Sequence, residues 1–104
     1  MSDILPLACQ IQDPAQLRQR TTEVQTLFKQ AMQMSELTDG YAFCFPDEDR
    51  LATQLLEFIQ FEKNCCPFFT FELAFEAQHG PIWLRLRGPD GVKAVISEEF
   101  LSSR

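Results

Sequence analysis

The sequence predicts a two-layer α+β sandwich, with helices on one face of a mixed, mainly antiparallel sheet and the order βαββαββα. Three observations predict it. Short segments alternate apolar and polar residues with period 2, and segments with helical spacing separate them. The last two strands alternate apolar with charged residues, so one sheet face is apolar and the other charged. Such a sheet covers only its apolar face. The chain has 104 residues, which accommodates a single domain over 1–104. No segment has the composition of a linker or of low complexity.

Leu5, Leu7, Cys9 and Ile11 alternate with smaller or polar residues and form the first expected strand. Asp13-Pro14-Ala15-Gln16 then starts a helix, with Asp at the N-cap, Pro at the first helical position and Gln completing a capping box. Leu17, Val24, Leu27, Phe28 and Ala31 continue at helical spacing, leaving Arg18, Arg20 and Lys29 to solvent. Asp39-Gly40 is the strongest tight-turn signal, because both central residues of a type I′ turn need positive φ. It predicts strands over 33–38 and 41–45, with Tyr41, Phe43 and Phe45 on one face and Cys44 on the other.

Pro46-Asp47 starts the second helix and places Asp47, Glu48 and Asp49 in its first turn, where the helix dipole favours negative charge. In the next strand Phe69, Phe71, Leu73 and Phe75 face one way, and Thr70, Glu72 and Glu76 the other. Gln78-His79-Gly80-Pro81 is a turn. Ile82, Leu84 and Leu86 then alternate with Trp83, Arg85 and Arg87, so carboxylates and guanidiniums are expected to pair across the two strands. Gly88-Pro89-Asp90-Gly91 ends that hairpin, and a short helix with Val92, Val95, Ile96 and Phe100 closes the chain. Hairpin, Pro-Asp and helix thus occur twice, over 33–63 and 68–101.

Nine basic against fifteen acidic residues give a formal net charge of −6. Nucleic acid is excluded as the expected partner, because neutralising phosphates needs clustered Lys and Arg. Anionic membrane surfaces are disfavoured for the same reason. No run approaches the roughly 20 apolar residues of a membrane span. The first nine residues lack the basic start and the apolar length of an export signal, so the expected location is cytoplasmic. Thiols stay reduced there, and the four cysteines are then core residues, metal ligands or redox groups rather than a disulfide framework.

The second helix carries the informative anomaly. Leu51, Leu55, Phe58 and Ile59 make its core stripe, and the next position of that stripe is Glu62. Burying an unpaired carboxylate is costly or raises its pKa. Cys65 and Cys66 follow on the same side if the helix runs one more turn, and Pro67 cannot continue it. Glu62, Cys65 and Cys66 therefore gather where helix passes into strand. The plainer reading is a glutamate that reaches out of the helix end beside two buried cysteines.

Against it stands soft-metal or metalloid binding, since thiolates select soft ions; Cys44 and Glu62 would be auxiliary ligands to Cys65 and Cys66. A closed zinc site would need Cys9 as a fourth ligand, and Cys9 has the spacing of a core residue. A thiol redox sensor ranks below metal binding, because a helix C-terminus and a neighbouring carboxylate both raise a thiol pKa. His79 is a turn residue, no Ser/His/Asp set, P-loop or dinucleotide fingerprint is present, and no cofactor can be named. Phe61 and Phe68 fall off the core faces, and Trp83 stands with Arg85 and Arg87 on the charged sheet face. Exposed aromatics beside arginine are enriched at interfaces, so the competing class is a non-catalytic homo-oligomeric interaction module.

Glu62-Lys63-Asn64-Cys65-Cys66-Pro67-Phe68, the following Phe69-x-Phe71-x-Leu73 and the Gly88-Pro89-Asp90-Gly91 turn resemble a group of small bacterial proteins without assigned activity. Similar E-x-x-C-C-P-F segments occur in domains associated with heavy-metal-responsive regulators. The resemblance covers roughly residues 36–97, and C-C-P-F is its specific part. It implies no reaction, and it favours the metal reading of Glu62, Cys65 and Cys66. No helix-turn-helix segment is recognisable, so a regulator's DNA-binding role is not carried over.

Overall fold

Helix α1 (Pro14–Phe28) precedes two ββα units in a computed structural model that describes residues 14–100. Side chains are described throughout that span except at positions 14, 16, 17, 21, 99 and 100. The first unit is β1 (Gln33–Leu37), β2 (Gly40–Phe45) and α2 (Asp49–Cys65); the second is β3 (Thr70–Phe75), β4 (Ile82–Arg87) and α3 (Val92–Phe100). The strand expected over 5–11, with Cys9 in it, and the Asp13 cap lie outside the described residues.

The four strands form one sheet in the order β1-β2-β4-β3, and every pairing is antiparallel. The two hairpins therefore meet through their second strands. The register pairs Phe43 with Leu84 and Phe45 with Ile82, and Leu73 with Leu84 on the other side of β4. That register aligns the alternating apolar residues of β2, β3 and β4 on one face. Val24, Leu27 and Phe28 of α1, Leu51, Leu55 and Phe58 of α2, and Val92 and Ile96 of α3 close over that face in a single core. The fold is thus the expected α+β sandwich, with helices on one side.

The aromatic content concentrates in this layer. Phe28 is fully buried and meets Phe43, Phe45 and Phe58 edge-on, with ring centroids 4.7, 6.1 and 5.2 Å away. Phe68, expected off the core, is buried within it, and Phe61 is half-buried against it. Phe68 belongs to the segment between α2 and β3, where the chain turns inward instead of following a helical wheel, whereas Phe61 is still within α2. Among the described residues, four large apolar side chains stay exposed; of these Phe75 lies on edge strand β3 and Met34 on edge strand β1.

Two local expectations are corrected. The first hairpin turns at Thr38 and Asp39, because the register pairs Leu37 with Gly40 and makes Gly40 the first residue of β2. Among the described non-glycine residues, positive φ occurs at Gln78 and His79, so the turn is not the I′ type. Gly40 answers a different need: a Cβ there would lie 1.7 Å from the Leu86 carbonyl oxygen on β4. The acidic run is also divided. α2 begins at Asp49 with Glu48 as N-cap; Asp47 instead meets His79 Nδ1 at 3.1 Å, and Glu48 pairs with Arg50 at 3.1 Å.

The second sheet face carries Ala42 and Cys44 on β2 and Trp83, Arg85 and Arg87 on β4. Its polar groups engage one another. Arg87 pairs with Glu72 and Asp39, each at 2.9 Å, and Trp83 donates its ring N–H to Glu76 at 2.8 Å. The Arg85 guanidinium lies over the Trp83 ring, 5.8 Å from its centroid. Among the described residues, no helix is long and apolar enough to cross a membrane.

Candidate metal centre

Two oppositely charged residues occupy stripes that should be apolar. The buried positions of α2 are Leu51, Leu55, Phe58, Glu62 and Cys65, one per turn along a single face. Glu62 is only 2% exposed. Its partner comes from α1: Arg20 Nε and Nη2 donate to Glu62 Oε2 at 3.3 and 3.2 Å. The same guanidinium lies 4.1 Å from the centroid of the Phe61 ring. It also lines a groove of about 400 Å³ between α1 and α2, which gives its far edge access to water. A buried charge persists when it is paired and hydrogen-bonded, and Arg20 supplies both conditions.

Arg20 was expected on the solvent face, and it is the site residue that sequence reasoning missed. Its position carries a signal. It lies four residues before Val24 and seven before Leu27, on the buried stripe of α1. An arginine on the stripe of one helix and a glutamate on the stripe of another form a complementary pair.

Cys65 is the last residue of α2, and Cys66 is its C-cap, with φ −130° and ψ 72°. Its N–H still donates to the Glu62 carbonyl at 2.6 Å. Pro67 disfavours helical geometry at the residue before it, so the chain leaves the helix at Cys66. That departure swings the Cys66 sulfur back over the last turn. Cys66 Sγ donates to Glu62 Oε1 at 3.6 Å and lies 3.5 Å from Cys65 Sγ. Oε1 thus receives the thiol while Oε2 receives the guanidinium.

Glu62, Cys65 and Cys66 each present one ligand atom, and these atoms all lie within 4.8 Å of one another. All three residues are buried. Burial pushes the Glu62 carboxyl up from its ordinary range. The Arg20 charge and the hydrogen bonds from Arg20 and Cys66 pull it back only in part.

Two features depart from the expected ligand set. Cys44 is not in the group. It sits on β2 opposite Trp83 and Gln33, on the sheet face away from the core, because its neighbours Phe43 and Phe45 take the helix side. Burial and then the Glu76 charge push its thiol up. Further, Cys65 is a half-cystine, whereas Cys44 and Cys66 carry reduced thiols. A disulfide sulfur is not a thiolate, so Cys65 becomes a strong donor only once reduced.

When reduced, the group offers two soft sulfurs and one carboxylate oxygen in a dry recess, a donor set that selects soft ions. Matched against models of known families, curated proteins and solved structures, the chain aligns with none.

Proposed function

We propose that the protein, with Cys65 reduced, binds a soft metal or metalloid through Cys65 and Cys66, with Glu62 as the auxiliary group. The observation that carries this reading is the convergence of three buried ligand atoms within 4.8 Å at the end of one helix. Arg20 supports the site from outside by holding one oxygen of Glu62 and leaving the other toward the sulfurs. Ligands oriented by such partners bind better than loose ones. Cys44, on the other sheet face, takes no part.

Thiol titration tests it. The protein is reduced, freed of reductant and titrated with Hg(II) and with arsenite, with free thiols counted in denaturant before and after. Two thiols disappear per bound ion in the parent. The Cys65→Ala/Cys66→Ala protein loses that response; if it binds both ions as well as the parent does, the reading is wrong.

A further inference from the structure

Resting on the soft-ion reading of Glu62, Cys65 and Cys66, we infer that the ligand class is a neutral trivalent metalloid hydroxide. Arsenous acid or its antimony counterpart is held as a pyramidal adduct of the two thiols, with its remaining hydroxyl against Glu62.

The first ground is sulfur spacing. Cys65 Sγ and Cys66 Sγ lie 3.5 Å apart. With bonds of about 2.3 Å to a soft central atom, that spacing subtends about 100° at the centre, whereas a linear ion needs sulfurs about 4.6 Å apart. A three-coordinate centre with a lone pair takes the first arrangement. Mercuric and cuprous dithiolates take the second. The two sulfurs are carried by the last helical residue and its C-cap, both buried, so widening their spacing means turning a packed side chain to another rotamer.

The second ground is charge. The recess is buried and already holds one ion pair, Arg20 with Glu62. Carrying a hydrated ion into such a recess is costly. Arsenous acid is uncharged at neutral pH. A dithiol reductant first cleaves the Cys65 disulfide, giving up two electrons and two protons and becoming a disulfide itself. Each thiol then replaces one hydroxyl: an As–O bond breaks, an As–S bond forms, and the thiol proton leaves with the hydroxyl as water. Two waters depart, arsenic stays trivalent, and no net charge enters the site. A divalent cation reaches an equally neutral dithiolate only by shedding its hydration shell as an ion and expelling both thiol protons.

The third ground is the remaining hydroxyl. Glu62 Oε1 faces the sulfurs and accepts the Cys66 S–H at 3.6 Å, while Oε2 is held by Arg20. Once the thiol has lost its proton to the leaving water, Oε1 is without that donor and can accept the As–OH. Glu62 is thereby a positioning residue, and the arsenic has two sulfurs and one oxygen around it.

The test uses the full chain, reduced and freed of reductant, titrated with arsenite and separately with Cd(II) and Hg(II). Calorimetry in two buffers of different ionisation heat reports protons released, and arsenic X-ray absorption reports the neighbouring atoms. The expected result is one arsenite per chain, no net proton release, and an arsenic shell of two sulfurs and one oxygen. Cys65→Ala and Cys66→Ala each weaken arsenite by more than the roughly 10–100-fold that loss of a supporting partner costs, and Cys44→Ala matches the parent. Binding of Hg(II) or Cd(II) without arsenite overturns the inference and leaves the soft-ion site standing. Three sulfurs around arsenic, or loss of binding in Cys44→Ala, overturns it as well. If none of the three ions binds, the soft-ion reading falls with it.

Discussion

Arg20 of α1 and Glu62 of α2, 42 positions apart, form a salt bridge of 3.2 Å whose carboxylate is almost wholly out of water. The pair ties the first helix to the turn that carries both cysteines. Removing one member of a buried pair strands the other, which is worse than removing both. Arg20→Ala should therefore destabilise the fold by about 3 kcal/mol, and Arg20→Ala/Glu62→Gln by clearly less. Denaturant midpoints of the four proteins in this cycle measure the coupling. Simple additivity would mean that the two side chains do not support each other.

Glu62 also gives the stability a direction with pH. Its folded carboxyl lies above its ordinary 4.5, chiefly through burial, so the native state binds its proton more readily than the unfolded chain does. Between those two values the native state holds the extra proton, and stability falls as pH rises. The contribution is thus most favourable below the unfolded value and is lost as pH climbs through the folded one. Compared with Glu62→Gln, which cannot ionise, the parent should lose stability on going from about pH 4 to about pH 8. Urea denaturation at several pH values gives the difference. A parent that gains on the variant as pH rises would show that Arg20 outweighs burial.

How much of this was legible in the sequence follows from what each pattern encodes. The α2 stripe of Leu51, Leu55 and Phe58 gave the buried face directly, and extending it by one turn reached Glu62 and the cysteines. That reasoning stays within one helix, where geometry fixes neighbours at three and four residues. Arg20 lies on another helix, and no local pattern states which two stripes will meet. A wheel for α1 drawn without assuming that arginine faces water would have shown it. The Asp47-Glu48-Asp49 run failed for a related reason. Helix-dipole reasoning treats three acids as equivalent, while the fold gives Asp47 to His79 across a turn and leaves only Asp49 in the first turn. The half-cystine at Cys65 had no sequence signal at all, since spacing does not fix which sulfurs pair.

Gly40 shows a correct residue chosen for the wrong reason, and it yields a sharp test. The turn signal would make Gly40 necessary for its φ, whereas the structure makes it necessary for the close approach of β2 to β4. An added Cβ would lie 1.7 Å from the Leu86 oxygen and 2.8 Å from its carbonyl carbon, both backbone atoms that cannot rotate away. Gly40→Ala should cost about 3 kcal/mol or more, since the two hairpins must separate locally. Asp39→Ala removes only an exposed pair with Arg87 and should cost less than about 1 kcal/mol. Thermal midpoints of the two variants report the contrast. Equal, small effects would mean that β2 and β4 do not pair in this register.

Cys44 separates thiol burial from thiol function. It is 4% exposed, and burial with the nearby Glu76 charge lifts its pKa, so little thiolate is present near neutral pH. Alkylation follows the thiolate and its access, and both are low here. In the native protein, Cys44 should react with iodoacetamide at least about tenfold more slowly than in the unfolded chain. Mass spectrometry of the labelled peptide measures the ratio. Glu76→Gln removes the negative charge and should speed the reaction, while leaving the Glu62 group on the other side of the sheet unchanged. Cys44→Ala should likewise bind soft ions as the parent does, because its sulfur faces away from Cys65 and Cys66. Weaker binding in that variant would place Cys44 among the ligands and contradict its position on β2.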